Sequence, residues 1–231
     1  SGCWDAASQL TPLAAHGFAL GSWHPLRSIA DPQRAANEFA GTPCAVEGDA
    51  AATSALRDWT ARIGGAPFEV PGASKPLYHA AAALACNALV ALEDLAASLF
   101  EHWGASRTEG LMRLMPIVRS TVSNLQALGT PAALTGPIER GEMATVAAHL
   151  AALRQIRNPS GSTSELTVGS QRGFRSVDAQ TVYCVLGQLI VDLAQRKGSI
   201  SPSVADAMRD LLRHGPAHDI KETRSRHDMD T

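Results

Sequence analysis

Apolar and polar positions at the start of the chain alternate between helical and extended patterns. Asp5 is placed to cap a first helix, which Gly17 ends. Turn residues bound three short apolar runs, which predict strands at 18–23, 43–47 and 67–70. His24-Pro25 follows the first run, and Gly48-Asp49 after the second leads into a helix. This alternation predicts an α/β layer with a largely parallel sheet.

From residue 74 onward the pattern is helical. Residues 77–100 contain neither Gly nor Pro and are apolar almost all round, which predicts one long, central and largely buried helix. A second helical pattern runs over 111–128, where Pro116 is expected to produce a kink. Further helices are predicted at 143–154, 178–196 and 202–213.

Two polar segments interrupt or follow these helices. Residues 155–176 are rich in Ser, Gly, Asn and Arg without an apolar period, which predicts a long mobile loop. Residues 215–231 predict a disordered tail. The fold class is therefore mainly α, with an α/β portion at 1–72 and a helical domain at 73–214.

Composition narrows the class of protein. The 231 residues are 45% hydrophobic and 18% charged, enough for a sizeable core, and the net charge is −2. Dispersed Lys and Arg disfavour nucleic acid or an anionic membrane as partner. The longest apolar stretch, 80–92, is too short to span a bilayer, and no secretory signal is visible. Four widely spaced cysteines indicate a reduced, cytoplasmic protein.

His24 is the first candidate for chemistry. It follows a strand, at a place where open α/β sheets bind ligands, and Pro25 holds it extended. The imidazole can then donate a proton or a hydrogen bond to a substrate, or it can simply complete a local turn.

A second set of candidates lies along the start of the long helix. Lys75, His79, Ala83 and Asn87 follow one another at steps of four, so they share one face. Lys75 or His79 can act as a proton donor if it is desolvated. Asn87 stands among apolar residues and needs partners. Lys75 can alternatively begin the helix in solvent.

The segment 135–142 offers a possible anion site. Backbone amides at Gly136 and Gly141, with Thr135 and Arg140, can hold an anionic group of a substrate or cofactor. The alternative is a capped turn in which Arg140 pairs with Glu139 or Glu142. No metal site, nucleophile elbow or P-loop string is evident.

Several strings occur together in an order that points to one family. They are Ser1-Gly2 before a helix and the segments 21–26, 45–49, 77–81 and 134–142, together with Cys86-Asn87, Thr145 and His149. Together they resemble the bacterial two-domain family with an N-terminal Rossmann-like domain and a C-terminal helical domain of unknown function. The resemblance covers residues 1–153 and resumes at 183–212.

The resemblance implies a fold and a chemistry. The family is similar in architecture to pyrroline-5-carboxylate reductase, ketopantoate reductase and the β-hydroxyacid dehydrogenases, with a 6-phosphogluconate-dehydrogenase-like helical domain. It implies an NAD(P)-dependent oxidoreductase acting on a small metabolite in a cleft, and a homodimer formed through the helical domain. Cofactor contacts would come from Ser1, Gly2, His24 and Pro25.

Three departures qualify what the resemblance implies. No Gly-x-Gly-x-x-Gly string occurs, so this chain is expected to be a piece that lacks the phosphate-binding half and binds dinucleotide poorly. Ala83 stands one turn before Asn87, where β-hydroxyacid dehydrogenases carry the catalytic Lys of a Lys/Asn pair. Glu142 replaces the family's usual Asp. A non-catalytic dimerisation or ligand-binding module is therefore the alternative function.

Overall fold

The computed structural model describes residues 2–157 and 178–215. Internal contacts divide the chain into two compact units, Ser1–Asp94 and Leu95–Thr231, and each unit is described by itself. The domain limits expected from the sequence, after residues 72 and 214, stay predictions. Most of the predicted loop at 155–176 and nearly all of the tail lie outside the described residues.

The first unit combines short helices with three strands. Its elements are α1 (Ala6–Gln9), α2 (Thr11–Ala14), β1 (Gly21–Pro25), α3 (Pro32–Asn37), β2 (Pro43–Gly48), α4 (Ala50–Arg62), β3 (Ala66–Glu69), a 3-10 turn (Gly72–Ser74), α5 (Lys75–Ala85) and α6 (Asn87–Leu99), which ends beyond the unit boundary. The predicted cap is present, since the Asp5 carboxylate accepts a hydrogen bond from Ser8 N–H at 2.7 Å. All three predicted strands are confirmed with shifted ends, whereas α3 was not predicted.

The three strands form one sheet in the order β1-β2-β3. β2 and β3 are parallel, as predicted, but β1 runs antiparallel to β2, with Trp23 opposite Val46. The prediction of a largely parallel sheet is therefore wrong for β1, because apolar runs identify strands without giving their direction. His24-Pro25 belongs to β1 instead of stopping it, since a proline is tolerated at a strand end.

A polar contact fixes α4 beneath the sheet. The Trp23 indole N–H donates to the fully buried Thr60 hydroxyl at 2.9 Å. Trp23 also packs edge-on against Trp59, with ring centroids 5.0 Å apart. Trp23 is therefore a packing residue, and it holds the strand that carries His24.

The predicted long helix is interrupted and largely exposed. α5 ends at Ala85 and α6 begins at Asn87, with Cys86 as a distorted turn residue between them at a φ of −117° and a ψ of −66°. Leu77, Leu84 and Val90 are 77%, 72% and 68% exposed. The prediction of a buried central helix is thus wrong for this chain, because apolar residues all round a helix do not say which surface covers them.

The same region bears on the membrane question. Gly72–Trp103 is long and apolar enough to cross a membrane by length and composition, and only 6% of its most apolar window is buried. The expectation that the apolar stretch is too short to span a bilayer is therefore corrected. Length and composition alone are weak evidence for a membrane span.

All the regular secondary structure in the described part of the second unit is helical. After the end of α6 come a 3-10 turn (Phe100–Trp103), α7 (Arg107–Leu128), α8 (Met143–Arg157), α9 (Ala179–Lys197) and α10 (Pro202–His214). These confirm the predicted helices, although α7 begins earlier, behind a capping box of Ser106 and Glu109, and continues through Pro116. The core of α8, α9 and α10 includes Leu150, Val191 and Met208, all fully buried.

Candidate functional site

His24 and Tyr78 form the centre of the candidate site. His24 lies near the end of β1, and its Nδ1 is 2.9 Å from the Tyr78 hydroxyl on α5. The rings meet edge-on, with centroids 5.7 Å apart and an interplanar angle of 87°. His79 follows on the same helix, and its ring centroid is 6.0 Å from that of His24. Since Nδ1 is engaged by Tyr78, Nε2 is the other ring nitrogen of His24 at which chemistry can occur.

Gly2 closes one side of the site. A Cβ at residue 2 would lie 2.6 Å from His79 Cδ2 and 2.8 Å from His24 Nε2, well inside van der Waals contact. Residue 2 is itself buried. Glycine at this position therefore lets the backbone approach both imidazoles, which a larger residue would displace.

The surroundings of His24 favour its neutral form. Burial lowers the pKa of His24 below its ordinary value of 6.5, and the positive charges of His79 and Lys75 act in the same direction. Burial also raises the pKa of the Tyr78 phenol, which therefore stays protonated. The phenol can donate to Nδ1 or accept from it, according to the tautomer, so the pair can pass a proton to or from Nε2.

Lys75 is buried beside this pair. It is 2% exposed, its ammonium donates to the Ser22 hydroxyl, and its Nζ is 3.5 Å from Glu47 Oε2. The possibility that Lys75 begins its helix in solvent is therefore wrong. Because its ammonium is held between β1 and β2, the geometry favours an anchoring role over direct contact with substrate.

The remaining residues expected near His24 differ in their placement. Pro25 is adjacent on β1, and its carbonyl accepts the Arg27 N–H at 2.9 Å. Asn87 is exposed as the first residue of α6, and the structure records no contact between it and His24. Because the Asn87 side chain is exposed, water can satisfy it, and the hydrogen-bond partners expected from the sequence are not needed. Ser1 lies outside the described residues.

The candidate anion site lies in the second unit. Gly136 and Gly141 have φ values of 107° and 70°, so both turns use the left-handed region that favours glycine. Arg140 Nε donates to Glu142 Oε1 at 2.5 Å, and both side chains are exposed. The segment is therefore a turn in which Arg140 pairs with Glu142, which was the alternative to an anion site.

A small cavity adjoins this turn. It has a volume of about 180 Å³ and is lined by Thr135, Pro137, Ile138, His149, Tyr183 and Ile190. His149 Nδ1 lies 2.9 Å from the Tyr183 hydroxyl, and the rings meet edge-on. Within residues 2–157 and 178–215, no cluster of three or more His, Cys, Asp or Glu side chains is arranged to hold a metal.

A larger cavity tests the fit of a dinucleotide. It measures about 510 Å³, lies at the carboxyl ends of β2 and β3, and includes Glu47, Asp49 and Glu69 in its lining. A pyrophosphate requires backbone N–H groups and positive charge, whereas three carboxylates repel it. With no Gly-rich turn in the sequence, this cavity does not fit the phosphates of NAD(P).

Sequence reasoning missed two side chains of this site. Tyr78 received no catalytic role, although its position beside His79 in a string typical of the family was a signal. Glu47 received no role, although it occurs in another of those strings, because sequence does not show which strand faces which helix.

Comparison with known families identifies the chain. The sequence profile of a family described as "Domain of unknown function (DUF2520)" matches residues 42–166, more than half of the chain. The chain therefore belongs to this family, and the resemblance seen in the sequence is confirmed. No protein of curated function matches significantly.

Solved structures share the fold. The protein TM1727 from Thermotoga maritima has a TM-score of 0.63 at 21% identity, over 86% of this chain and 68% of that chain. The "putative NADP oxidoreductase BF3122" from Bacteroides fragilis has a TM-score of 0.60 at 17% identity, over 82% of this chain and 62% of that chain. The chain shares with these structures a Rossmann-like portion followed by a helical domain, and the predicted fold class is confirmed. The chain spans about two thirds of each of these structures.

Proposed function

We propose that this member of the DUF2520 family provides the substrate side of an NAD(P)-dependent oxidoreductase that acts on a small metabolite. The observation that carries the proposal is the His24–Tyr78 pair, with a contact of 2.9 Å, held against Gly2 and His79. The name of the Bacteroides fragilis structure supports the choice of NADP chemistry. Because the dinucleotide does not fit the acidic cavity, the residues of this chain account for the substrate side alone.

The chemistry of the site is proton transfer at an oxygen atom. Interconversion of a carbonyl and a hydroxyl requires a group that gives or takes a proton at the substrate oxygen. As its neutral Nδ1–H tautomer, His24 donates to the Tyr78 oxygen and can accept the hydroxyl proton at Nε2, and the imidazolium formed returns that proton to the oxygen in the reverse direction. The lowered pKa of His24 keeps the imidazole neutral near pH 7, so it is not locked as a cation.

The other predicted residues have supporting roles in this proposal. His79 is exposed beside His24 and can hydrogen-bond the reacting group. Lys75 positions α5, and Asn87 is left without a role in proton transfer. Thr135, Gly136 and Arg140 lie in the second unit, and no part in the His24 site is proposed for them, since Arg140 pairs with Glu142. A cytoplasmic homodimer is proposed as the working form.

The first test measures cofactor binding and turnover separately. The 231-residue chain is titrated with NADPH and with NADH by fluorescence, and NADPH consumption is followed with a panel of small carbonyl compounds. If turnover is found, we expect His24→Gln to reduce it by about 100-fold or more. The exposed His16 gives the matched control, so His16→Gln should retain wild-type activity. Turnover unchanged in His24→Gln would exclude His24 as the acid–base group.

The alternative is a non-catalytic dimerisation or ligand-binding module. The exposed apolar side chains of α5 and α6 favour it, because apolar surface of this kind commonly marks an interface. A folded chain that forms a dimer in sedimentation experiments, yet neither binds nor consumes NADPH, would support the module over the enzyme.

A further inference from the structure

One buried carboxylate contacts all three segments that form the His24 site. Both oxygens of Glu47, on β2, accept the Ala6 N–H, at 3.0 and 3.3 Å. Oε2 also accepts the Ser22 hydroxyl at 3.2 Å and lies 3.5 Å from Lys75 Nζ. The Glu47 side chain is only 10% exposed. Charge-assisted hydrogen bonds of this kind are stronger than neutral ones, and in a buried place they fix geometry.

Each residue that Glu47 contacts lies close in sequence to a residue of the site. Ala6 begins α1, four residues after Gly2. Ser22 precedes His24 by two residues on β1, so the two side chains lie on the same face of the strand. Ser22 is also the register partner of Glu47 across the β1–β2 pair.

The third contact fixes the helix. Lys75 precedes Tyr78 by three residues and His79 by four on α5, so all three side chains share one face of that helix. α5 is therefore attached to the sheet at two points. Lys75 contacts Ser22 on β1 and Glu47 on β2, and Tyr78 contacts His24 on β1. Gly72 leaves room for the carboxylate, since a Cβ there would lie 3.3 Å from Glu47 Oε1.

We propose that Glu47 is a positioning residue of the His24 site, which sets the mutual placement of Gly2, His24 and the Tyr78–His79 turn without contacting substrate. The catalytic consequence rests on the proposed function, but the assembly of the site does not. Glu47 acts through Ala6, Ser22 and Lys75, and its role is therefore visible in the state of His24 even when no cofactor or substrate is present.

The test uses imidazole NMR of the full chain labelled with ¹⁵N-histidine, with the His24 signals assigned from His24→Gln. In Glu47→Gln the buried ammonium of Lys75 loses its charge partner, so we expect the Nδ1 signal of the His24–Tyr78 hydrogen bond to be lost. The His24 titration should also move to lower pH, because less negative charge then offsets the positive charge of Lys75 beside it. Glu69→Gln is the matched control, because Glu69 is an exposed carboxylate on β3 that pairs with Arg57. It should leave both signals unchanged.

A second variant covers the case in which Glu47→Gln does not fold. Combining Glu47→Gln with Lys75→Met removes both buried charges, which proteins tolerate better than an unpaired one. A folded double variant with altered His24 signals supports the proposal. Wild-type His24 signals in any folded Glu47 variant would overturn it. Failure of the double variant to fold would also overturn it, since Glu47 would then maintain the unit as a whole.

Activity gives an independent readout if turnover is found. A positioning role predicts that Glu47→Gln lowers kcat more than it raises KM, because an unaligned acid–base group affects the reacting state. Absence of turnover in the wild-type chain would count against the proposed function, whereas the NMR result would still decide the role of Glu47.

Discussion

Gly2 offers the most direct test of the geometry at the site, through the substitution Gly2→Ala. The added methyl group would lie 2.6 Å from His79 Cδ2 and 2.8 Å from His24 Nε2, where ordinary contact begins at 3.4 Å. The two rings must therefore withdraw by about 0.8 and about 0.6 Å. His79 is exposed and can turn away, whereas His24 is half-buried and bonded to Tyr78.

The displacement of His24 determines the magnitude of the effect. Moving its ring by about 0.6 Å would change the 2.9 Å contact with Tyr78 by up to a similar amount, enough to compress it or to stretch it to the limit of a hydrogen bond. Overpacking of this size costs about 1–3 kcal/mol of stability. A misplacement of nearly 1 Å in a catalytic group costs about 100-fold in rate. We therefore expect a folded protein with a disturbed His24 signal and, where turnover is measurable, a large loss of kcat.

Imidazole NMR, urea unfolding and turnover are measured together on Gly2→Ala and on a control. Gly17→Ala serves as the control because its Cβ would meet nothing within 4 Å, although its φ of 79° strains an alanine by about 1 kcal/mol. The control should lose a similar amount of stability without a change at His24. If Gly2→Ala shows wild-type His24 signals and turnover, the close approach of the backbone is not required, and the reasoning fails.

Three further predictions concern pH, packing and association. Because burial above all lowers the His24 pKa below 6.5, its contribution to stability is complete above pH 6.5 and lost as pH falls through the lowered value; His24→Gln should flatten this part of a urea-unfolding pH series. Thr60→Val leaves the Trp23 indole N–H without its acceptor and should cost about 1–3 kcal/mol in urea unfolding, most of which Thr60→Ser restores. Leu84 is 72% exposed, so Leu84→Glu should leave stability within about 0.5 kcal/mol of wild type but dissociate a dimer in sedimentation velocity.

The helices of the second unit could be predicted because local signals agree there. Asp178 and Ser201 cap α9 and α10 through side-chain hydrogen bonds, and Gly198 and Gly215 follow their last turns. Caps and apolar periodicity are properties of neighbouring residues, so a sequence displays them directly. The start of α7 was placed late because its first turn is polar and depends on the capping box at Ser106.

The direction of β1 and the exposure of α5 depend on long-range packing. An apolar run such as 18–23 shows that a strand forms, but pairing partners decide whether it is parallel or antiparallel. Apolar residues such as Leu77 and Val90 show that α5 and α6 favour burial, but the surface that would cover them is not in the sequence pattern.

The candidate site could be predicted only in part, because it too depends on long-range packing. His24, His79 and Gly2 came from strings typical of the family, and the first unit brings them together. Tyr78 and Glu47 were missed because their roles arise only when a helix and two strands meet. Asn87 was included among the site residues because it follows Lys75 and His79 at steps of four along one predicted helix. The distortion at Cys86 interrupts that spacing.

The burial of Lys75 explains why His24 is the better candidate for proton transfer. A lysine near a cleft is a natural choice for a proton donor, yet the ammonium of Lys75 is already occupied by Ser22 and Glu47. Burial above all lowers the pKa of His24, and the positive charges of His79 and, least, of Lys75 act in the same direction. A neutral imidazole with Nδ1 tied to Tyr78 can take a proton at Nε2, and the imidazolium so formed can give it back. The lysine thus serves the chemistry by fixing the helix that carries Tyr78 against the strand that carries His24, while burial keeps the histidine neutral.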